Sequence, residues 1–217
     1  YLKQYKEAFE DYNKSIELDP KYKNIYEDTL KDFDNKIELD FDNANLYNIR
    51  GRVYYTLGKY RKAISDYEKA ISLNSSNAVF YRDIGEARIE LNHYKKAKKN
   101  LDEAINLYKE NNTEDSYAYS LRGMAKAGVG NYEEAIKDYD IAIKLNPNNS
   151  EIYYFKGISL ISLENDEEAI KNFDEVIRLE KNTARLALGY YVRANSKYFL
   201  KQYEESIKDY DKAIEIE

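Results

Sequence analysis

Residues 66–73, which read DYEKAISL, set the pattern of the whole chain, because close copies of them return further on. Residues 138–145 read DYDIAIKL, and residues 209–216 read DYDKAIEI. Self-similarity at a fixed period of 20–50 residues is the signature of a repeat protein. When the copies are aligned on the aromatic residue or leucine of this motif, the spacings between anchors are 21, 34, 34, 38, 34 and 37, and an isoleucine follows each anchor by four residues. The anchors are Tyr12, Phe33, Tyr67, Leu101, Tyr139, Phe173 and Tyr210.

A second set of positions repeats upstream of the anchors. A glycine, replaced once by alanine, follows a tyrosine by four residues, and a small residue follows that glycine by twelve. Apolar residues at spacings of three, four and seven predict two amphipathic helices per repeat. Glycine and proline motifs predict the turns between helices. Because small residues let helices approach closely, we expect the glycine of the first helix to face the second helix. The glycine series is Gly51, Gly85, Gly123, Gly157 and Ala194.

Composition excludes several classes of protein. Hydrophobic residues make up 43% of the 217 residues, which is enough for a folded core. The sequence contains no apolar run long enough to cross a membrane and no cysteine for a disulfide or a thiolate nucleophile. The formal net charge of −6 disfavours a nucleic-acid partner, which usually meets a basic surface.

The positions Tyr47, Gly51, Tyr54, Ala63, Tyr67 and Ala70 resemble the tetratricopeptide repeat family in type and spacing. The resemblance covers essentially the whole chain, although tyrosine replaces the family's tryptophan and its proline survives only at Pro20 and Pro147. It implies an all-α fold, a right-handed superhelical solenoid of antiparallel helix hairpins. We expect one array over residues 1–217, with a partial repeat at 1–20, a shortened repeat at 21–43, and repeats at 44–77, 78–115, 116–149, 150–186 and 187–217.

The shortened repeat lacks 13 residues of the usual register between Tyr26 and Glu27. Either the sequence as given omits residues there, or the gene carries a real deletion. We favour omission, because loss of a first helix would strip the core from Phe33 and Ile37. An intact mass above 25.6 kDa would support omission.

Arginine and aspartate vary together across the repeats. Where the residue three after the helix tyrosine is arginine, the residue sixteen further on is aspartate, and the other copies have asparagine there. A guanidinium binds a carboxylate through two parallel hydrogen bonds, so we predict structural pairs between the helices of a hairpin. The alternative is a row of cations that binds substrate. The pairs are Arg50–Asp66, Arg122–Asp138 and Arg193–Asp209.

Catalytic, cofactor and metal sites are not expected. The one histidine, His93, falls in a turn where other repeats have lysine, asparagine or glutamine, so we predict an exposed polar residue. One histidine without cysteine leaves no histidine-rich zinc site and no cysteine nucleophile. Acidic pairs such as Glu133–Glu134 open second helices, where acids favour the helix dipole.

The first helices offer the candidate binding surface, because in tetratricopeptide proteins they line the concave side of the array. One stripe of each first helix varies from repeat to repeat, whereas structural positions recur. The early part of this stripe is polar with two arginines, and the later part is aromatic and aliphatic. The predicted groove residues are Asn48, Arg52, Tyr55, Arg82, Glu86, Tyr117, Met124, Tyr154, Ile158, Tyr191, Asn195 and Tyr198. Alternatively, Tyr154, Tyr191 and Tyr198 merely pack against neighbouring helices.

The sequence therefore predicts a non-enzymatic scaffold that binds a protein, as a peptide or helix, in this groove. Apolar or aromatic ligand residues fit best, with acidic ones near Arg52 and Arg82. Some family members clamp a partner's terminal carboxylate with a lysine one residue after the helix tyrosine, and that lysine is absent here. Two alternatives stay open: self-association through the array ends, and recognition within a larger enzyme or membrane-associated protein.

Overall fold

The computed structural model describes residues 20–216, with side chains from Tyr26 onward. The partial repeat predicted over residues 1–20, with its anchor Tyr12, lies outside the described residues except for Pro20. The described residues form eleven α-helices and no strand. These helices are α1 (Pro20–Leu39), α2 (Ala44–Thr56), α3 (Tyr60–Leu73), α4 (Ala78–Glu90), α5 (Tyr94–Glu110), α6 (Ser116–Gly128), α7 (Tyr132–Leu145), α8 (Ser150–Ser162), α9 (Asp166–Leu179), α10 (Thr183–Phe199) and α11 (Tyr203–Ile216).

The helices fall into two compact units that meet in sequence between His93 and Tyr94. In the first unit, α2 and α3 form a hairpin, with α1 packed on α2 and α4 packed on α3. In the second unit, α5 is followed by the hairpins α6–α7, α8–α9 and α10–α11, and each hairpin packs on the second helix of the one before it. The predicted all-α architecture of consecutive helix hairpins is confirmed for the described residues.

Asparagine side chains and left-handed residues mark the helix boundaries. The side chains of Asn43, Asn77 and Asn149 each accept a hydrogen bond from a backbone N–H at the start of the following helix, which satisfies one of the free donors there. After the first helix of a hairpin, a residue with positive φ reverses the chain, as at Gly58 and Gly130, with φ of 67° and 86°. The turns predicted from glycine motifs are therefore found at these two positions.

Close packing of an aromatic ring against a glycine holds three of the hairpins together, α2–α3, α6–α7 and α8–α9. A Cβ atom built on Gly123 would lie 2.5 Å from Cε1 of Tyr139, and one built on Gly157 would lie 2.6 Å from Cε1 of Phe173. Both rings are buried completely, together with the alanines at the start of the second helices. The predicted role of the glycine series, to admit the second helix, is confirmed in these hairpins.

The shortened repeat contains one uninterrupted helix. α1 runs through the point between Tyr26 and Glu27 where the repeat register loses 13 residues. Because α1 contains no glycine and its only proline is its first residue, nothing local stops the helix. The two half-motifs therefore join end to end, and Ile37 is buried while Phe33 is only half-buried.

Candidate functional site

Three arginines tie the first helix of a hairpin to its second helix. Nε of Arg122 donates to Oδ2 of Asp138 at 2.8 Å, and Nη2 donates to Oδ1 at 2.7 Å. The aspartate is buried, and the two parallel bonds fix the angle between the helices. Bonds of 2.8 Å and 2.6 Å join each of the other two predicted pairs, Arg50–Asp66 and Arg193–Asp209. The predicted structural pairing is confirmed.

Each of these arginines also reaches back to the helix that precedes its hairpin, which the sequence did not lead us to expect. Nη1 of Arg122 donates to Oδ1 of Asp102 on α5 at 3.0 Å. The acid concerned always directly follows a repeat anchor, as Asp102 follows Leu101, and that position is the sequence signal that could have identified it. The other bonds of this kind, both 2.6 Å long, are Arg50–Asp34 and Arg193–Asp174.

All three arginines are already bound to aspartates of the chain, so they are not available to bind a ligand. Burial alone would lower the pKa of Arg122, but its hydrogen bonds to Asp138 and Asp102 outweigh burial and raise that pKa. The guanidinium also lies over the ring of Tyr119, with 5.5 Å between its central carbon and the ring centroid. The alternative of a substrate-binding row of cations is therefore wrong for these three residues.

Other cations make the corresponding ion pair at the two remaining junctions between a second helix and the next first helix. Between α7 and α8, Nζ of Lys156 lies 2.7 Å from Oδ1 of Asp140. Between α3 and α4, Nη2 of Arg88 lies 2.7 Å from Oε1 of Glu68. In all these cases, the acid that follows the anchor binds a cation from the next first helix.

In the first unit, the predicted groove positions are mostly occupied by internal contacts. Asn48 is 6% exposed, and its Nδ2 donates to Oδ2 of Asp83 at 3.1 Å. Nη2 of Arg82 donates to Oδ1 of the same aspartate at 2.9 Å, so the expected acidic ligand residue would not meet an unpaired charge at Arg82. Arg52 is exposed and makes no ion pair with the side chains described from Tyr26 onward, while Tyr55 and Glu86 are half-buried.

In the second unit, one predicted groove residue is buried, and the others lie at the surface. Tyr154 is 6% exposed, and its ring packs against Phe155 and Phe173 with centroid distances of 5.6 Å and 6.3 Å. For Tyr154, the alternative that it packs against neighbouring helices is correct. The surface positions are the half-buried Met124, Ile158 and Asn195, and the exposed Tyr117, Tyr191 and Tyr198.

The predicted groove positions of the second unit are mostly apolar or aromatic, with few polar groups. Oδ1 of Asn195 accepts a hydrogen bond from the Tyr210 hydroxyl at 2.6 Å. Glu151, on the same stripe of α8, has its pKa raised by burial, and this effect exceeds the opposing effect of Arg185. The local environment therefore disfavours a carboxylate, which is consistent with a surface suited to apolar ligand groups.

The remaining candidates from the sequence are His93 and the acidic side chains that could bind a metal ion. His93 is exposed in the turn after α4, as predicted. Among the side chains described from Tyr26 to Ile216, no three or more histidine, cysteine, aspartate or glutamate residues form a cluster that could hold a metal ion. Within that same span, no helix has both the length and the apolar character needed to cross a membrane.

Comparison with known sequences identifies the repeats. Two models of the tetratricopeptide repeat match the chain, one at residues 44–77 and 116–149 and the other at residues 1–22, 80–111, 150–183 and 187–217. Together they cover most of the chain. No match was found among curated proteins.

Solved structures share the fold at low sequence identity. The crystal structure of MamA is 21% identical with a TM-score of 0.68, covering 76% of this chain and 93% of MamA. YrrB, described as a TPR protein with an unusual peptide-binding site, is 23% identical with a TM-score of 0.67, covering 85% and 92%. A tetratricopeptide repeat protein from Parabacteroides merdae is 19% identical with a TM-score of 0.66, covering 90% and 74%. The repeat motifs, the glycine–aromatic hairpins and these matches together establish that the chain belongs to the tetratricopeptide repeat family, whose members serve in general as protein-interaction scaffolds.

Proposed function

We propose that the chain is a non-enzymatic scaffold that binds a peptide or helix of a partner protein on the first helices of its second unit. The contact surface consists of Tyr117 and Met124 on α6, Ile158 on α8, and Asn195 and Tyr198 on α10. Buried Tyr154 supports this surface from below, and the arginine pairs hold the helices at fixed angles.

The observation that carries the proposal is the contrast between recurring and varying positions. In the second unit, the glycine–aromatic contact recurs at Gly123 and Gly157. One residue further along each first helix, the partly exposed position changes from Met124 to Ile158 to Asn195. Positions that pack the repeats together need the same kind of residue in every repeat. Positions that recognise a ligand need different residues along the array.

The chemistry of the surface favours a ligand with apolar or aromatic anchors. Met124 and Ile158 offer flexible and branched apolar contacts, while Tyr117 and Tyr198 offer rings with polar edges. The acidic net charge opposes a nucleic-acid ligand. YrrB has a peptide-binding site on the same fold, which makes a peptide ligand a reasonable expectation here.

The test compares binding of a partner by matched variants. A partner captured from the native cell extract is purified and titrated against the chain and against a Met124→Ser, Ile158→Ser variant. Removing two half-buried apolar contacts should cost about 2 kcal/mol of binding free energy, which is a weakening of roughly thirtyfold.

The matched control is Ile141→Ser with Val129→Ser. These apolar residues lie outside the first-helix stripe and are also partly exposed, so their loss should change the dissociation constant by less than about twofold. Equal binding by the two double variants, each with an unchanged circular dichroism spectrum, would contradict the proposal.

A further inference from the structure

The first two turns of α5 carry three exposed lysines, Lys95, Lys96 and Lys99, which we call the lysine face. Spacings of three and four residues make these side chains neighbours on the helix surface. All three are exposed, and none makes an ion pair with a side chain described from Tyr26 onward. Helix α5 lies in the middle of the chain, with other helices before and after it, so the end of the chain does not account for this exposure.

The other second helices of the unit begin with acids where α5 has lysines. In α7, Nζ of Lys137 lies 2.6 Å from Oε1 of Glu134, which stands three residues before it. The equivalent pair in α9, at 2.8 Å, is Lys171–Glu168. Lys99 takes the place of these lysines in α5, but the residue three before it is Lys96. An ion pair of the repeat is therefore replaced by two cations.

This replacement opposes the stability of α5. Like charges three or four residues apart on a helix repel each other, and a cation near a helix N-terminus opposes the helix dipole. Lys99 has a like charge at both spacings, on Lys96 and on Lys95, and the first turn of α5 contains no acid. Folding therefore gains nothing from the charges of the lysine face, whereas an anionic ligand would relieve their repulsion.

Acids on neighbouring elements limit the size of such a ligand. Tyr94, at the start of α5, packs against α6, where a Cβ built on Gly128 would lie 2.5 Å from Cδ1 of the ring. The turn after Gly128 leads directly to the exposed Glu133 on α7, and the exposed Glu103 lies one turn beyond the lysine face on α5 itself. A long polyanion or a flat anionic surface would meet these acids, whereas a short acidic segment would not.

We infer that the lysine face binds a short acidic segment of a separate partner protein, through charge-assisted contacts with aspartate or glutamate carboxylates. The site lies on a second helix and is distinct from the first-helix surface of the proposed function. A second copy of the chain is a poorer ligand, because Glu134 and Glu168 at the starts of α7 and α9 are already paired with lysines of their own helices.

The test uses octaglutamate labelled with an uncharged fluorophore as the probe. This peptide has no apolar or aromatic side chain for the first-helix surface. Fluorescence anisotropy at low ionic strength should show saturable binding to the chain of residues 1–217, and the binding should weaken as salt is added. Replacing all three lysines, Lys95→Gln, Lys96→Gln and Lys99→Gln, should weaken it at least about tenfold, because three charged contacts are lost.

The matched control is the triple variant Lys137→Gln, Lys171→Gln, Lys212→Gln. These lysines also lie on second helices, and each is bound to a glutamate of its own helix. Both triple variants change the net charge equally, so an effect of overall charge would appear in both. The control should bind the probe within about twofold of the unchanged chain. Absence of saturable binding, or equal weakening by the two triple variants, would overturn the lysine face as a binding site.

Further measurements separate this site from its alternatives. The first-helix variant Met124→Ser, Ile158→Ser should bind the probe within about twofold, so failure of one proposal is distinguishable from failure of the other. Displacement of the probe by oligothymidylate or phosphatidylserine vesicles at a lower concentration of charge than by unlabelled octaglutamate would overturn the peptide ligand. Self-association in sedimentation experiments that is abolished by the glutamine substitutions on α5 would overturn the separate partner in favour of a second copy.

The single substitution Lys96→Glu tests the cost of the lysine face to stability. It recreates with Lys99 the glutamate–lysine pair of α7 and α9, so the melting temperature should rise by about 2–4 °C. Binding of the probe should weaken at least about fivefold in the same variant. An unchanged or lower melting temperature would overturn the argument that these lysines oppose folding and serve a ligand.

Discussion

Replacing Gly123 with alanine should destabilise the α6–α7 hairpin, although alanine is the better helix former. The new Cβ would lie 2.5 Å from Cε1 of Tyr139 and 2.9 Å from Cδ1 and Cζ. Carbon atoms in good contact are about 3.5–4.0 Å apart, so the overlap is roughly 1 Å. The ring is buried and its hydroxyl is hydrogen-bonded to Ser159, which leaves it little room to move.

The expected change in the free energy of unfolding is the difference between a packing cost and a gain in helix propensity. Overpacking of a buried contact costs about 1–3 kcal/mol and occasionally more. Alanine gains about 1 kcal/mol over glycine in a helix interior. Because the overlap is large and the ring is confined, we expect a net loss of about 1–2 kcal/mol, which is a fall of roughly 2–8 °C in melting temperature for a chain of this size.

Circular dichroism on heating gives the melting temperature, and amide hydrogen exchange shows whether the loss is confined to α6 and α7. Ala194, which already occupies the glycine position in the last hairpin, provides the matched control. Ala194→Gly should lose about 1 kcal/mol from helix propensity alone. The double variant Gly123→Ala, Tyr139→Leu should lose less than the two single losses added together. If Gly123→Ala raised the melting temperature, the close contact between glycine and ring would be refuted.

Three further predictions concern stability. Burial alone would raise the pKa of Asp209, but hydrogen bonds from Arg193 and a neighbouring lysine lower it; the stabilisation is therefore present above pH about 4 and lost as the pH falls through the lowered pKa. Asp209→Asn should lower the urea midpoint at pH 7, and the difference between the two proteins should shrink progressively as the pH falls below about 4. Lys156→Arg combined with Asn172→Asp should recreate the bidentate pair, with a coupling free energy of about 1–2 kcal/mol in a double-mutant cycle of urea unfolding. Lys201→Gly should raise the melting temperature, gaining about 0.5–1 kcal/mol, because Lys201 has a φ of 62°.

The hairpin framework was predictable because both of its partners lie in one repeat. Arg122 and Asp138 are sixteen residues apart, and a helix, a short turn and a second helix bring them opposite each other. The bond from Arg122 to Asp102 was missed because it crosses to the preceding hairpin, whose position the pattern within one repeat does not give. It could have been inferred by comparing the residue after each anchor with the cation of the next repeat.

The candidate surface was predictable only in part. Helical spacing groups Met124 with Tyr117 on one side of α6, and in the structure Tyr117 is exposed and Met124 is half-buried. Spacing does not reveal how much of that side the next hairpin covers, so Asn48 and Tyr154 were predicted to contact ligand although both are buried.

The junction between α7 and α8 should be the weakest contact between consecutive helices in the second unit. Its ion pair relies on Lys156, a point charge on a flexible stem, and the carboxylate of Asp140 is half-exposed to solvent. The hairpin α8–α9 also lacks the bidentate arginine–aspartate pair, since Asn172 stands in place of the aspartate. Salt screens an exposed pair of this kind more than a buried one. Under tension applied along the array, the second unit should therefore part first between α7 and α8, and at a lower force as the ionic strength rises.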